Sequence, residues 1–314
     1  MSVELMPTET IQVPHQGAME PSSPAESLAL RAERYLCLAQ AFLPPDREQR
    51  FCAMRNLLVD DLRGLFQELG DNPRPLLHAL KQDLAVTFAD HTLALRTYAG
   101  LFLSPPVPAH INTAWYQDGS LMGRHMDDLQ AFYQRHGLGR REGFKDLPDH
   151  AAMQLEFASV LLATCADALQ EGDDVRHETL LGEAHDFLES FPLAWLPGLR
   201  SDIARCTATP QDPEQLYLTL TDLLIQCVRD DVQWLSARLP ERTMAPRHTD
   251  TNSSTETTAM QVPESRSIEA QAFIAARLAE AGLDTSHLAI PEGQRDTALG
   301  LHAIKPVVPK RHSR

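Results

Sequence analysis

Apolar residues recur at three- and four-residue spacing through most of the chain, and no stretch alternates apolar with polar residues long enough to read as a strand. The pattern predicts an all-α protein. Its first helix opens at "SPAES", where Ser23 can cap, Pro24 fits the first turn and Glu26 completes a capping box. Leu28, Ala32, Tyr35, Ala39 and Phe42 then form one stripe, which Pro44 and Pro45 end. A second helix is expected over about 46–69, closed by Gly70, and a third near Pro75. The fourth runs through "LALRTYAGLFL" until "SPPVP" stops it, and residues 104–118 read as a long proline-rich loop. Helices resume at "SLMGRHMDDLQAFYQRH", after Pro148, at about 175–191 and at "PEQLYLTLTDLLIQCVRDDVQWLSARL".

The character of the chain changes after Leu239. "TMAPRHTDTNSSTETTAMQVPESRS" is rich in Ser, Thr and Pro and too poor in apolar residues to offset its ordering entropy. The organisation expected is a disordered segment over 1–22, a single helical-bundle domain over 23–240 and a flexible linker over 241–266. Residues 267–314 then hold a short amphipathic helix, with Ile268, Phe273, Ile274 and Leu278, and a basic tail, "KPVVPKRHSR".

Composition narrows the partners. A formal charge of −15 and pI near 5.3 argue against nucleic acid or an anionic membrane and favour a cationic partner. No apolar run reaches the ~20 residues of a membrane span, and the first residues lack a basic region followed by an apolar one, so the expected place is the cytoplasm. Cys37, Cys52, Cys165, Cys206 and Cys227 show no CxxC spacing and read as small apolar residues.

The stretch "LPDHAAMQLEF", residues 147–157, carries polar groups into the most apolar helix. Asp146 is placed to cap it, Pro148 lies in its first turn, and Asp149 suits the positive end of the helix dipole. Met153, Leu155, Phe157, Val160, Leu161, Leu162 and Leu169 cover most of the circumference, as in a central helix. Asp149 and Glu156 share a stripe roughly 10 Å apart at about 1.5 Å per residue, while His150 points elsewhere. A buried Glu156 requires a partner, either an Arg or backbone group inside the protein or a group brought from outside.

Catalytic signatures are few. No GxSxG, HExxH or P-loop occurs, and "GLGRREG" has its third Gly one residue late and follows a helix. His177 and His185 would need ligands from elsewhere to hold a metal and read as part of a solvated helix face; a helical metal-dependent hydrolase is the enzyme alternative. Tyr98, Leu101 and Phe102 at helical spacing read, by themselves, as core.

The order "YAGLF", a Pro-rich loop, "TAWYQDGSLMG", a helix ending "YQRHGL" and then "PDHAAMQLEF" resembles the TorD/DmsD family of redox-enzyme maturation chaperones, over roughly 30–239. Departures are "SPPVP" where the family has Gly-Pro after "LF", and Thr113-Ala114-Trp115 at its Ser-x-Tyr position. The resemblance implies a single helical domain without catalysis or a cofactor of its own, monomeric or homodimeric. It would bind the twin-arginine signal peptide of a molybdenum enzyme's catalytic subunit and hold that subunit back from export until its cofactor is inserted. The family's peptide-binding positions fall on Tyr98, Leu101, Phe102, Asp149 and His150, with Trp115 in the adjoining loop and Glu156 as a structural or binding group. A guanidinium pair beside an apolar stretch suits carboxylates next to an apolar groove.

Overall fold

A computed structural model describes residues 23–120, 123–137, 139–140, 147–239 and 283–284. The expected segments 1–22 and 241–266, and all of 267–314 except 283–284, lie outside the described residues. Eleven helices are described, and an all-α domain holds the core. α1 (Pro24–Ala41) starts as its sequence dictates: Ser23 is extended, its hydroxyl accepts from the Glu26 N–H at 3.1 Å, and Pro24 opens the first turn. The stripe from Leu28 to Phe42 is buried against α8 (Ala151–Glu171), and alanines on both helices allow close approach.

α8 is the central helix. By length and composition it could cross a membrane, but most of it is buried inside this domain, with α1 on one side and α9 (Asp174–Ser190) on another. Phe132, Phe157, Phe187 and Phe191 meet beside it with centroids 4.7 to 6.0 Å apart.

The expected helix over 46–69 is two helices, α2 (Glu48–Asn56) and α3 (Leu58–Glu68), with a turn at Leu57, where φ widens to −117°, between them. Phe51, Met54, Leu58, Leu62 and Leu65 keep a three-to-four spacing across the break, so periodicity gave no sign of it. α4 (Arg74–Thr87) and α5 (His91–Phe102) fall where expected, and Asp90 caps the second. The proline-rich stretch is a loop that also contains a short helix, α6 (Ala114–Asp118), before α7 (Arg124–Arg135).

The helix α10 (Pro192–Cys206), which carries Pro192 and Pro197, is not among those expected from the sequence. Pro192 is in the first turn, where no intrahelical donor is lost, and Trp195, Leu196, Leu199 and Ile203 bury enough apolar surface to hold the helix through Pro197. α11 (Gln215–Ser236) closes the bundle against α10, α4 and α9.

α1 and α11 are also joined by a buried ion cluster. Asp231 accepts from Arg31 and, at 2.7 and 2.8 Å, from Arg34, which also reaches Asp71 at 3.0 Å. Burial disfavours the Arg34 charge, but Asp231, together with Cys227 and Tyr35, outweighs this and raises the guanidinium pKa. Trp234 lies under Arg31 and Phe66 under Arg34. All five cysteines are thiols; Cys165 and Cys227 are buried, and burial pushes both up to about 12. Two-residue strands β1 (Gly139–Arg140) and β2 (Leu283–Asp284) pair antiparallel.

Candidate peptide-binding site

Asp149 departs from its expected geometry. Helix α8 begins at Ala151, not near Pro148, and its cap is His150, whose Nδ1 accepts from the Ala152 N–H at 3.2 Å. Asp149 is left just outside the helix and is fully buried. One carboxylate oxygen accepts from the Asn112 amide at 3.1 Å and the other from the Ala114 N–H at 2.9 Å. Thr113 offers α6 no side-chain cap, so the carboxylate of Asp149 caps that helix from across the fold. Burial pushes its pKa up, against lowering by the Ala114 and Asn112 donors. The expected place of Asp149 at the positive end of the helix is therefore corrected: it lies just outside α8, holds the loop to that helix and presents no free face.

The surrounding bonds are as complete. Asn112 and His150 form an isolated antiparallel bridge, with Thr113 N donating to Asp149 O at 3.1 Å and Ala151 N to Ile111 O at 2.9 Å. Gln154 donates to Asp149 O at 3.1 Å and to the Thr113 hydroxyl, and accepts from the Trp195 indole at 2.8 Å. Tyr133 on α7 donates to Pro148 O at 3.1 Å. The loop is thereby tied to α7, α8 and α10 at once.

A second tether fixes the outer side. The Tyr116 hydroxyl accepts from His110 N at 2.9 Å and donates to Asp202 on α10 at 3.0 Å. Its ring lies where a side chain at position 198 would stand: a Cβ on Gly198 would meet Tyr116 Cδ1 at 2.5 Å. Trp115, next along, points outward. It is 40% exposed and stacks on the His110 ring with centroids 4.2 Å apart. Leu103, at the other end of the loop, is 56% exposed. Asp118, Asp127 and Asp128 are exposed nearby on α6 and α7, with Arg124 3.8 Å from Asp128. The arrangement is a rigid platform presenting an aromatic plane beside carboxylates, suited to a chain that carries apolar and cationic groups.

Residues 68–201 match the family model described as nitrate reductase delta subunit. The chain is similar to the chaperone protein TorD of Photobacterium profundum, 26% identical over 141 residues, or 44% of this chain and 62% of that protein. It is also similar to the chlorate reductase assembly chaperone protein of Ideonella dechloratans, 28% identical over 195 residues, or 62% of this chain and 85% of that protein. The family-model match covers under half of the chain, and both relatives are assembly or chaperone proteins by name. The match spans about three fifths of the first relative's own length. No solved structure matches the chain significantly.

All the expected site residues lie within residues 68–201, but the structure brings only some of them together. Asp149, His150 and Trp115 are parts of one platform. Tyr98, Leu101 and Phe102 are buried on α5; the Tyr98 hydroxyl donates to Phe42 O at 3.1 Å, and its ring and that of Phe102 pack edge-on against Tyr217. As placed here, those three and the Asp149–His150 pair have no open face, and of the six only Trp115 is exposed. Glu156 is buried one helix away and accepts from the Gln40 amide of α1 at 3.3 Å.

His177 and His185 do not sit on a fully solvated face. Both are half-buried, with His177 Nδ1 3.0 Å from Cys165 O and His185 beside Asp186. Among the described residues no group of three or more His, Cys, Asp or Glu is arranged to hold a metal. Sequence reasoning missed Tyr116, which anchors the platform, although an aromatic beside Trp115 was its available signal.

Proposed function

We propose that this chain is a cytoplasmic chaperone for the catalytic subunit of a molybdenum-containing oxidoreductase. It binds the subunit's twin-arginine signal peptide, keeps the apo-subunit competent for cofactor insertion and delays its export. The match to the nitrate reductase delta subunit model and the chaperone roles for which both relatives are named support this reading. The observation that carries it to a surface is Trp115, an exposed indole on a platform whose every tether is internal and satisfied. A rigid aromatic so presented loses little entropy when a partner covers it.

In this reading Trp115 and Leu103 meet the apolar part of the peptide, and Asp118, Asp127 and Asp128 meet its guanidinium pair. Asp149 and His150 act as positioning residues, while Tyr98, Leu101 and Phe102 support α5 and the start of the loop from below. Capture of a reporter fused to a twin-arginine signal peptide tests the reading: the tagged chain is expected to retain it and to release the twin-lysine form. Equal retention of both, or undiminished retention by Trp115→Ala, would move recognition away from the platform.

A further inference from the structure

The helical domain does not by itself account for the β1–β2 pair. Gly139 lies opposite Asp284 and Arg140 opposite Leu283, so residues 139–140 are paired with residues from beyond the Ser/Thr/Pro-rich stretch. Strand addition of this kind draws on main-chain hydrogen bonds and holds a chain without a side-chain pocket. β1 is a neighbour of the platform through the chain on both sides. It comes after α7, where His125 N donates to Asp118 at 2.9 Å and Tyr133 reaches Pro148, and it precedes Asp149.

The sequence beyond β2 has the opposite character to the domain. Residues 297–314 hold Lys305, Lys310, Arg311 and Arg314 with no acid, in a chain of net charge −15, and Leu299, Leu301 and Ile304 precede the basic group. An adjacent cation pair after an apolar stretch offers the same two chemistries as the proposed client peptide. Lys310 lies 26 residues beyond Asp284. That length spans up to roughly 85 Å when extended, whereas α7 is only about 18 Å long, so the basic pair can reach the acidic surface of α6 and α7.

We infer that residues 283–314 dock in cis at residues 139–140 and set their basic end against Asp118, Asp127 and Asp128, where they compete with an incoming peptide. The competition rests on the peptide-binding reading proposed above; the docking does not. A tethered competitor acts at a high effective concentration, so it sets a threshold that only a better ligand passes.

The test uses the full chain, its Leu283→Pro variant, which removes a backbone donor from β2, and the double variant Lys310→Gln/Arg311→Gln. Hydrogen exchange at residues 139–140 is followed together with calorimetric titration by a twin-arginine peptide. Leu283→Pro is expected to speed exchange there about fivefold or more, and both variants to tighten peptide binding about threefold or more. The inference is overturned by exchange that Leu283→Pro leaves unchanged, by peptide affinity unmoved in both variants, or by protection that falls on dilution, which would assign the pairing to a second copy. If no form binds any peptide, the functional reading fails while the exchange result still decides the docking.

Discussion

Asp149→Ala removes the group that joins the platform to the central helix. The Ala114 N–H and the Asn112 amide, at 2.9 and 3.1 Å, both lose their acceptor. Loss of a helix cap costs about 1–2 kcal/mol and loss of a second hydrogen bond about 0.5–1.5 kcal/mol. The relief of a carboxylate that burial disfavours offsets part of this, leaving an expected loss of roughly 1.5–3 kcal/mol near neutral pH. Asp149→Asn keeps an acceptor for Ala114 N and should cost less. Its pH dependence has a definite sign. The native carboxyl is held above its ordinary 3.8, so its contribution to stability is present below that value and is lost as pH rises through the raised one. Asparagine does not titrate, so the cost of Asp149→Asn shrinks as pH rises from 4 to 7. Urea denaturation gives the stabilities, and iodide quenching in a Trp234→Phe background reports the platform, because Trp115 is exposed whereas Trp195 is buried. A loss under about 0.5 kcal/mol for Asp149→Ala, with quenching unchanged, would refute the bridging role.

Asp231→Ala strands Arg31 as a buried charge and leaves Arg34 with Asp71 as its remaining carboxylate, and should lower stability by about 3–5 kcal/mol in the same denaturation assay. Gly198→Ala places a methyl group against the Tyr116 ring; a cost of about 1–3 kcal/mol is expected, with a change in Trp115 fluorescence as α6 shifts. Glu33 is pushed up to about 7 by burial and by Glu68, so its contribution is present below 4.5 and is lost as pH rises through 7. Glu33→Gln should therefore match the parent near pH 4.5 and exceed it at pH 8 by about 1–3 kcal/mol, which pH-resolved thermal unfolding measures.

Local sequence signals located most of the helices. The Ser23 cap and the Leu28 to Phe42 stripe marked α1, and apolar residues all round the helix marked α8 as central. The break at Leu57 kept the helical period, and α10 is held through its prolines by tertiary packing. Asp149 was legible as special but not as buried, because its acceptor role is toward Ala114 and Asn112, 35 and 37 residues away, and no local pattern reports such a pairing. The Arg31, Arg34 and Asp231 cluster had a weak signal: charged residues interrupting the apolar stripes of α1 and α11 near Leu28 and Val228. Their mutual contact spans about two hundred residues of chain, so only the fold reveals it.

Calorimetric titration of the full chain with a twin-arginine signal peptide and its twin-lysine counterpart bears most directly on the chaperone reading. Saturable binding of the twin-arginine peptide is expected, weaker for twin-lysine because an ammonium cannot form the planar two-point contact with a carboxylate. Trp115→Ala should lower the affinity roughly tenfold to a hundredfold while stability stays within about 0.5 kcal/mol of the parent. Absence of binding to either peptide by folded protein, or the same affinity in parent and Trp115→Ala, would contradict it.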